Sequence, residues 1–99
     1  MNKTFQICQR IFKYEKVLQL HFRPSKLHIK YPYILKIRYK EPSPIYQMNS
    51  STEILQESGK FREYTDFTYK YTEKESVKKL IEEIRESIPN CKIYNEVIE

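Results

Sequence analysis

The sequence predicts an α+β fold: an antiparallel or mixed sheet of four to five strands, two of them long, with one amphipathic helix packed on one face. Three observations predict it. From Leu27 to Tyr39 every odd position is apolar or aromatic (Leu27, Ile29, Tyr31, Tyr33, Leu35, Ile37, Tyr39), and the even positions through Lys40 are mostly cationic. From Lys60 to Thr72 the alternation returns, with Phe61, Thr65, Phe67, Tyr69 and Tyr71 on one side. Over about 73–88 the spacing changes, and Val77, Leu80, Ile81, Ile84 and Ile88 recur at helical intervals. A period of two sends alternate side chains to opposite faces of a strand, whereas a period near 3.6 draws a stripe along a helix.

The elements follow in order. Phe5 to Phe12 mixes both periods, and its Phe5–Ile7 alternation favours a strand. Between Lys16 and Arg23, Leu18, Leu20 and Phe22 alternate with Gln19, His21 and Arg23 until Pro24-Ser25 breaks the pattern. With a four-residue turn over Arg23 to Lys26, Phe22 lies opposite Leu27, Leu20 opposite Ile29 and Leu18 opposite Tyr31, while His21 faces His28 on the outside. Pro32 cannot donate to a ladder, so it marks an edge, a bulge or a bend in the first long strand. Residues 41–59 hold Pro42, Pro44, Asn49-Ser50-Ser51 and Gly59, and read as a long loop inside a single domain spanning 1–99. The second long strand, about 60–72, pairs with the first, about 27–40. Thr72-Glu73-Lys74-Glu75 has the form of a capping box for the helix, Pro89-Asn90 stops it, and Ile93 to Ile98 forms a closing strand.

Charge is distributed unevenly. Residues 1–40 hold ten Lys and Arg against Glu15 alone, whereas the remainder holds eight cations against twelve acids, which together give the net charge of +5. A basic segment joined to an acidic one favours a polyanion on the basic side or head-to-tail self-association. The chain has no Ala or Trp, one Gly and nine Tyr. Its Ile, Lys, Tyr, Asn and Phe content suits an A·T-rich genome, and abundant Ile, Tyr, Lys and Glu also suit a thermophile. In composition alone the chain resembles small proteins of viruses with A·T-rich hosts, a resemblance that rests on no motif and assigns no residue a role. No apolar run approaches the roughly 18 to 20 residues of a membrane span, so a soluble, cytoplasmic protein is expected. Cys8 and Cys91 match no zinc or redox spacing and read as two buried free thiols, with a disulfide between the ends as the alternative.

With Gly59 as the single glycine, no phosphate-binding loop, dinucleotide fingerprint or nucleophile elbow exists. With Asp66 as the single aspartate, a two-metal carboxylate site has no source outside the helix, where Glu82, Glu83 and Glu86 alternate with Lys78, Lys79 and Arg85 as a solvated face. His21 and His28 lack a third ligand. The sequence therefore predicts no enzyme, no catalytic or metal-binding residue, no cofactor and no small-molecule substrate. It points to His21, Arg23, His28, Lys30, Lys36, Arg38 and Lys40 as a basic sheet face contacting nucleic acid or another polyanion. Any half-solvated sheet also needs polar residues outside, and Lys on an edge strand blocks aggregation. The alternative is a homodimeric interaction or accessory protein that recognises a protein partner.

Overall fold

The structure is a computed structural model and describes residues 3–27 and 30–97. It is α+β, with a mixed four-stranded sheet and one helix. The chain begins as a hairpin of β1 (Thr4–Ile7) and β2 (Arg10–Lys13), closed by Cys8 and Gln9. A single 3-10 turn, Tyr14–Lys16, leads into β3 (Val17–Pro24), followed by β4 (Tyr33–Tyr39), β5 (Ser43–Asn49), β6 (Ile54–Arg62) and β7 (Thr65–Tyr71). Helix α1 (Lys74–Ser87) then crosses over to β8 (Lys92–Asn95).

The sheet runs β7-β4-β3-β8, antiparallel except for the parallel β3–β8 pair. Because β7 and β8 point the same way at opposite edges, their connection must pass over one face of the sheet, and α1 is that connection. Its stripe supplies the buried Val77, Ile81 and Ile84, which join Leu20, Phe22, Leu35, Ile37 and Tyr39 from β3 and β4 in one core cluster. The β1–β2 hairpin brings Phe5, Ile7 and Phe12 to the same cluster. Phe12 is fully buried, stacks on Phe5 at 5.1 Å and meets Tyr39, Phe67 and Tyr69 edge-on at 5.2, 5.4 and 6.3 Å between ring centroids. Offset and edge-on geometries suit the ring quadrupoles, so this aromatic cluster supplies the volume that Ala, Trp and most Leu would otherwise fill. The Lys13 amide donates to the Tyr39 hydroxyl at 2.9 Å, and the Arg10 guanidinium lies 4.0 Å from the Phe67 ring centroid while pairing with Glu41 at 2.8 Å. Hairpin and helix together cover the inner face.

The first long strand begins at Tyr33 and not at Leu27. Pro32 ends it: the Pro32 carbonyl accepts from the Ser25 amide at 2.8 Å, just beyond the last ladder pair, Pro24 with Tyr33. Leu27 is 91% exposed. The β3–β4 register consequently lies eight residues further on, with Phe22 opposite Leu35, Leu20 opposite Ile37 and His21 opposite Lys36. An even shift preserves which face each side chain occupies, so the inside–outside assignment survives the register error. Leu18 is the exception, because a bulge between Val17 and Gln19 buries Val17 and turns Leu18 outward.

Residues 41–59 do not form a long loop. Most of them belong to the antiparallel hairpin of β5 and β6, which continues the β4–β7 pair as an outlying arm. Ser43 Oγ donates to the Tyr64 carbonyl and Thr65 Oγ1 to the Glu41 carbonyl, both at 2.8 Å, splicing arm to sheet. Gly59, at φ 83°, takes up the left-handed conformation where β6 carries extra residues against β5. At the helix start the N-cap is Glu73 and its side chain makes no capping bond. The capping box needs Thr72 at that place to set Glu75 at the third helical position, and the helix begins one residue too late for it. Both cysteines are free, but Cys8 is exposed at the hairpin turn, at φ 56°, and Cys91 is half-buried.

Candidate nucleic-acid interface

On the sheet face opposite α1, the side chains form a grid fixed by register. One row across the sheet reads Asp66, Arg38, Gln19, Lys92, and the next reads Thr68, Lys36, His21, Tyr94. A third row holds Lys70, Ile34 and Arg23. Among the described residues, this face therefore carries five cations, Arg23, Lys36, Arg38, Lys70 and Lys92, against Asp66 and Glu96, a net charge of plus three with His21 neutral. Arg23, Thr68, Lys70, Lys92 and Tyr94 are exposed, whereas Gln19, His21, Lys36 and Arg38 in the middle strands are half-buried by their neighbours. Ile34 is buried at one end, where Ser25, Lys26 and Leu27 line a shallow recess with it.

One ion pair and one histidine–carboxylate contact brace the grid. Arg38 donates to Asp66 through Nε at 3.0 Å and Nη2 at 3.3 Å, a two-pronged contact that only the planar guanidinium makes. That hydrogen bond, opposed in part by desolvation, holds the Asp66 carboxyl below its ordinary range and raises the Arg38 guanidinium above its own. Arg38 also lies 4.2 Å from the centroid of the Tyr64 ring, and Arg62 approaches the same ring at 5.2 Å. At the other edge His21 Nε2 sits 3.2 Å from Glu96 Oε1, with the Tyr94 ring edge-on at 6.1 Å. The face is thus an array of fixed donors with tyrosines near two of its edges. It supplies charge and ring surface, with no nucleophile–base pair. No cluster of three or more His, Cys, Asp or Glu able to hold a metal occurs among the described residues.

Of the residues expected from sequence, the structure brings His21, Arg23, Lys36 and Arg38 together on this face. Lys30 lies in the loop before β4, its Nζ 5.7 Å from the Tyr31 ring centroid, and is displaced from the face because Pro32 ends the strand. Lys40 lies just past the end of β4 beside Lys16, Glu15 and Glu63, where charge is mixed. His28 lies outside the described residues, and His21 pairs with Lys36 and Tyr94 in place of the expected second histidine. Lys70, Lys92, Tyr94 and the acids Asp66 and Glu96 complete the face. Alternation along their own strands put Lys70 and Asp66 on one side of β7, but which face of the sheet that was depended on strand order. No helix among the described residues is long and apolar enough to cross a membrane. Comparison with protein-family models, with curated proteins and with solved structures found no match.

Proposed function

We propose that the protein is a small binding protein that holds nucleic acid, or another polyanion of similar charge spacing, against the open face of its sheet. The observation that carries this reading is the excess of five cations over two carboxylates on a face that neither α1 nor the β1–β2 hairpin covers. Cations fixed on a sheet neutralise phosphates and release their counterions, which gives affinity without reading sequence. Tyr94, half-exposed beside Lys92, offers a ring on which an unpaired base can stack.

Fluorescence anisotropy of labelled single- and double-stranded oligonucleotides from about 50 to 300 mM salt tests the reading. With about four phosphates neutralised, affinity for duplex falls on the order of 100-fold between 50 and 200 mM salt. Lys36→Glu, in the centre of the grid, weakens binding to every sequence alike and flattens the salt slope. Absence of binding to both oligonucleotides at 50 mM salt overturns it.

A further inference from the structure

The two edges of the sheet are not finished alike. At one, β8 is four residues long and opens on Lys92, the kind of short, charged strand that discourages further pairing. At the other, β7 runs seven residues without a proline or a bulge. Its inward-facing Phe67, Tyr69 and Tyr71 are only half-buried, although Ile37 and Leu35, opposite the first two, are fully buried. Burial thus falls away at an edge that carries three aromatic rings.

Ladder geometry decides which backbone groups face outward there. Along an antiparallel pair, hydrogen-bonded and non-bonded positions alternate. The hydrogen bond from the Ser25 amide to the Pro32 carbonyl continues the β3–β4 register by one pair, and sets the bonded positions at Arg23–Ile34, His21–Lys36 and Gln19–Arg38. Tyr33, Leu35, Ile37 and Tyr39 therefore turn their backbone groups to β7, where they meet Tyr71, Tyr69, Phe67 and Thr65. Asp66, Thr68 and Lys70 are left with their N–H and C=O groups directed away from β4. Among the described residues nothing hydrogen-bonds to those groups.

The sequence of β7 complements itself in one register. A two-fold axis centred on Asp66 or on Lys70 sets like charges face to face, and one centred on Phe67 or Tyr69 leaves both charges opposite neutral side chains. Centred on Thr68, the midpoint of the strand, it sets Asp66 opposite Lys70 of the second copy, Phe67 opposite Tyr69 of the second copy, and pairs all seven residues. Opposite charges and aromatic pairs directly across an antiparallel ladder are stabilising.

We propose that β7 is a self-association edge, at which two copies pair antiparallel about a two-fold axis through Thr68 and join their sheets into one of eight strands. Thr68 exchanges N–H···O bonds with Thr68 of the second copy, and Asp66 with Lys70 of the second copy, each contact repeated as an isologous interface requires. The axis stands perpendicular to the sheet, so both helices lie on one side and the two open faces are continuous on the other. The contact is one strand wide and about 24 Å long, from seven residues at roughly 3.4 Å each. That is smaller than the roughly 800 Å² per partner of a standard interface, so the dimer dissociates at micromolar concentration. The pairing needs no nucleic acid and is independent of the function proposed for the open face.

Sedimentation equilibrium from about 1 to 500 μM, without nucleic acid, tests it, with thermal unfolding to show that each variant keeps its core. Wild-type protein passes from monomer to dimer across this range. Thr68→Pro removes an N–H that points to the open edge and spares the ladder with β4, so this variant unfolds cooperatively yet stays monomeric at the highest concentration. Lys70→Glu, an exposed change that sets like charges across the axis, raises the dissociation constant roughly 10-fold. Thr68→Cys in a Cys8→Ser background forms a disulfide-linked dimer under mild oxidation, because the Cα atoms of a bonded pair lie about 5.5 Å apart, whereas Lys92→Cys at the other edge does not. Wild-type protein that remains monomeric overturns the proposal. So does a dimer that Thr68→Pro and Lys70→Glu both leave unchanged, which assigns the contact to another surface, or a Thr68→Cys variant that crosslinks no faster than Lys92→Cys.

Discussion

Replacing Phe12 by alanine tests whether the N-terminal hairpin is part of the core or an appendage. Phe12 is wholly buried and is the ring that Phe5, Tyr39, Phe67 and Tyr69 all contact. Removing its ring loses about 2 kcal/mol of transfer free energy. The cavity of about 100 Å³ left behind adds about 2 kcal/mol more where the neighbours do not collapse. The expected loss is therefore about 4 kcal/mol, a large part of the roughly 5 to 15 kcal/mol that holds a domain together. With a urea slope of about 1.5 kcal/mol per molar, the unfolding midpoint drops by roughly 2 to 3 M. Ile11→Ala, on the same strand but 62% exposed, is the control and costs less than about 0.5 kcal/mol. A loss below about 1 kcal/mol for Phe12→Ala, or equal losses for the two variants, refutes the packing of the hairpin against the sheet.

Three further predictions concern titration and thiol chemistry. Asp66, held ionised by Arg38, contributes stability that is present above the ordinary carboxylate range and lost as pH falls through its lowered folded value. Asp66→Asn should cost about 1 kcal/mol at neutral pH and flatten the acid limb of a pH–stability curve. The same change removes an acid from the basic face, so oligonucleotide affinity should rise while stability falls. Tyr71 is raised chiefly by burial, so its contribution is intact below pH about 10 and is lost as pH rises through its folded value. Tyr71→Phe should reduce the alkaline loss, read by urea unfolding between about pH 9 and 11. Exposed Cys8 should react with a disulfide reagent in the native protein well before Cys91, whose thiol burial pushes upward. Equal rates would contradict the burial of Cys91.

The alternation of Tyr33 to Tyr39 and of Thr65 to Tyr71 was legible because each strand has one face against the core, and burial imposes a period of two. Leu27 and Tyr31 continue that parity, but Leu27 is almost fully exposed, and Pro32 decides the matter. The arm was illegible for the opposite reason. With neither face against the core, nothing enforces alternation, and Ile45-Tyr46 and Ile54-Leu55 stand as adjacent apolar pairs among Pro, Asn and Ser residues that read as loop. Of the candidate face, His21, Arg23, Lys36 and Arg38 could be placed from parity along single strands. Lys92 and Tyr94 reach it only because α1 carries the chain across to lay β8 parallel to β3, a pairing between segments some 70 residues apart that no local pattern encodes.

On the proposed function, polyanions bind the open sheet face. Titrating isotope-labelled protein with a short oligonucleotide and following its amide resonances tests that most directly. Binding there shifts chiefly Gln19, His21, Arg23, Lys36, Lys70 and Tyr94, the shifts weakening together as salt is raised, with the exposed side of α1 unmoved. Shifts confined to α1 or to the arm, or none at low salt, would contradict it.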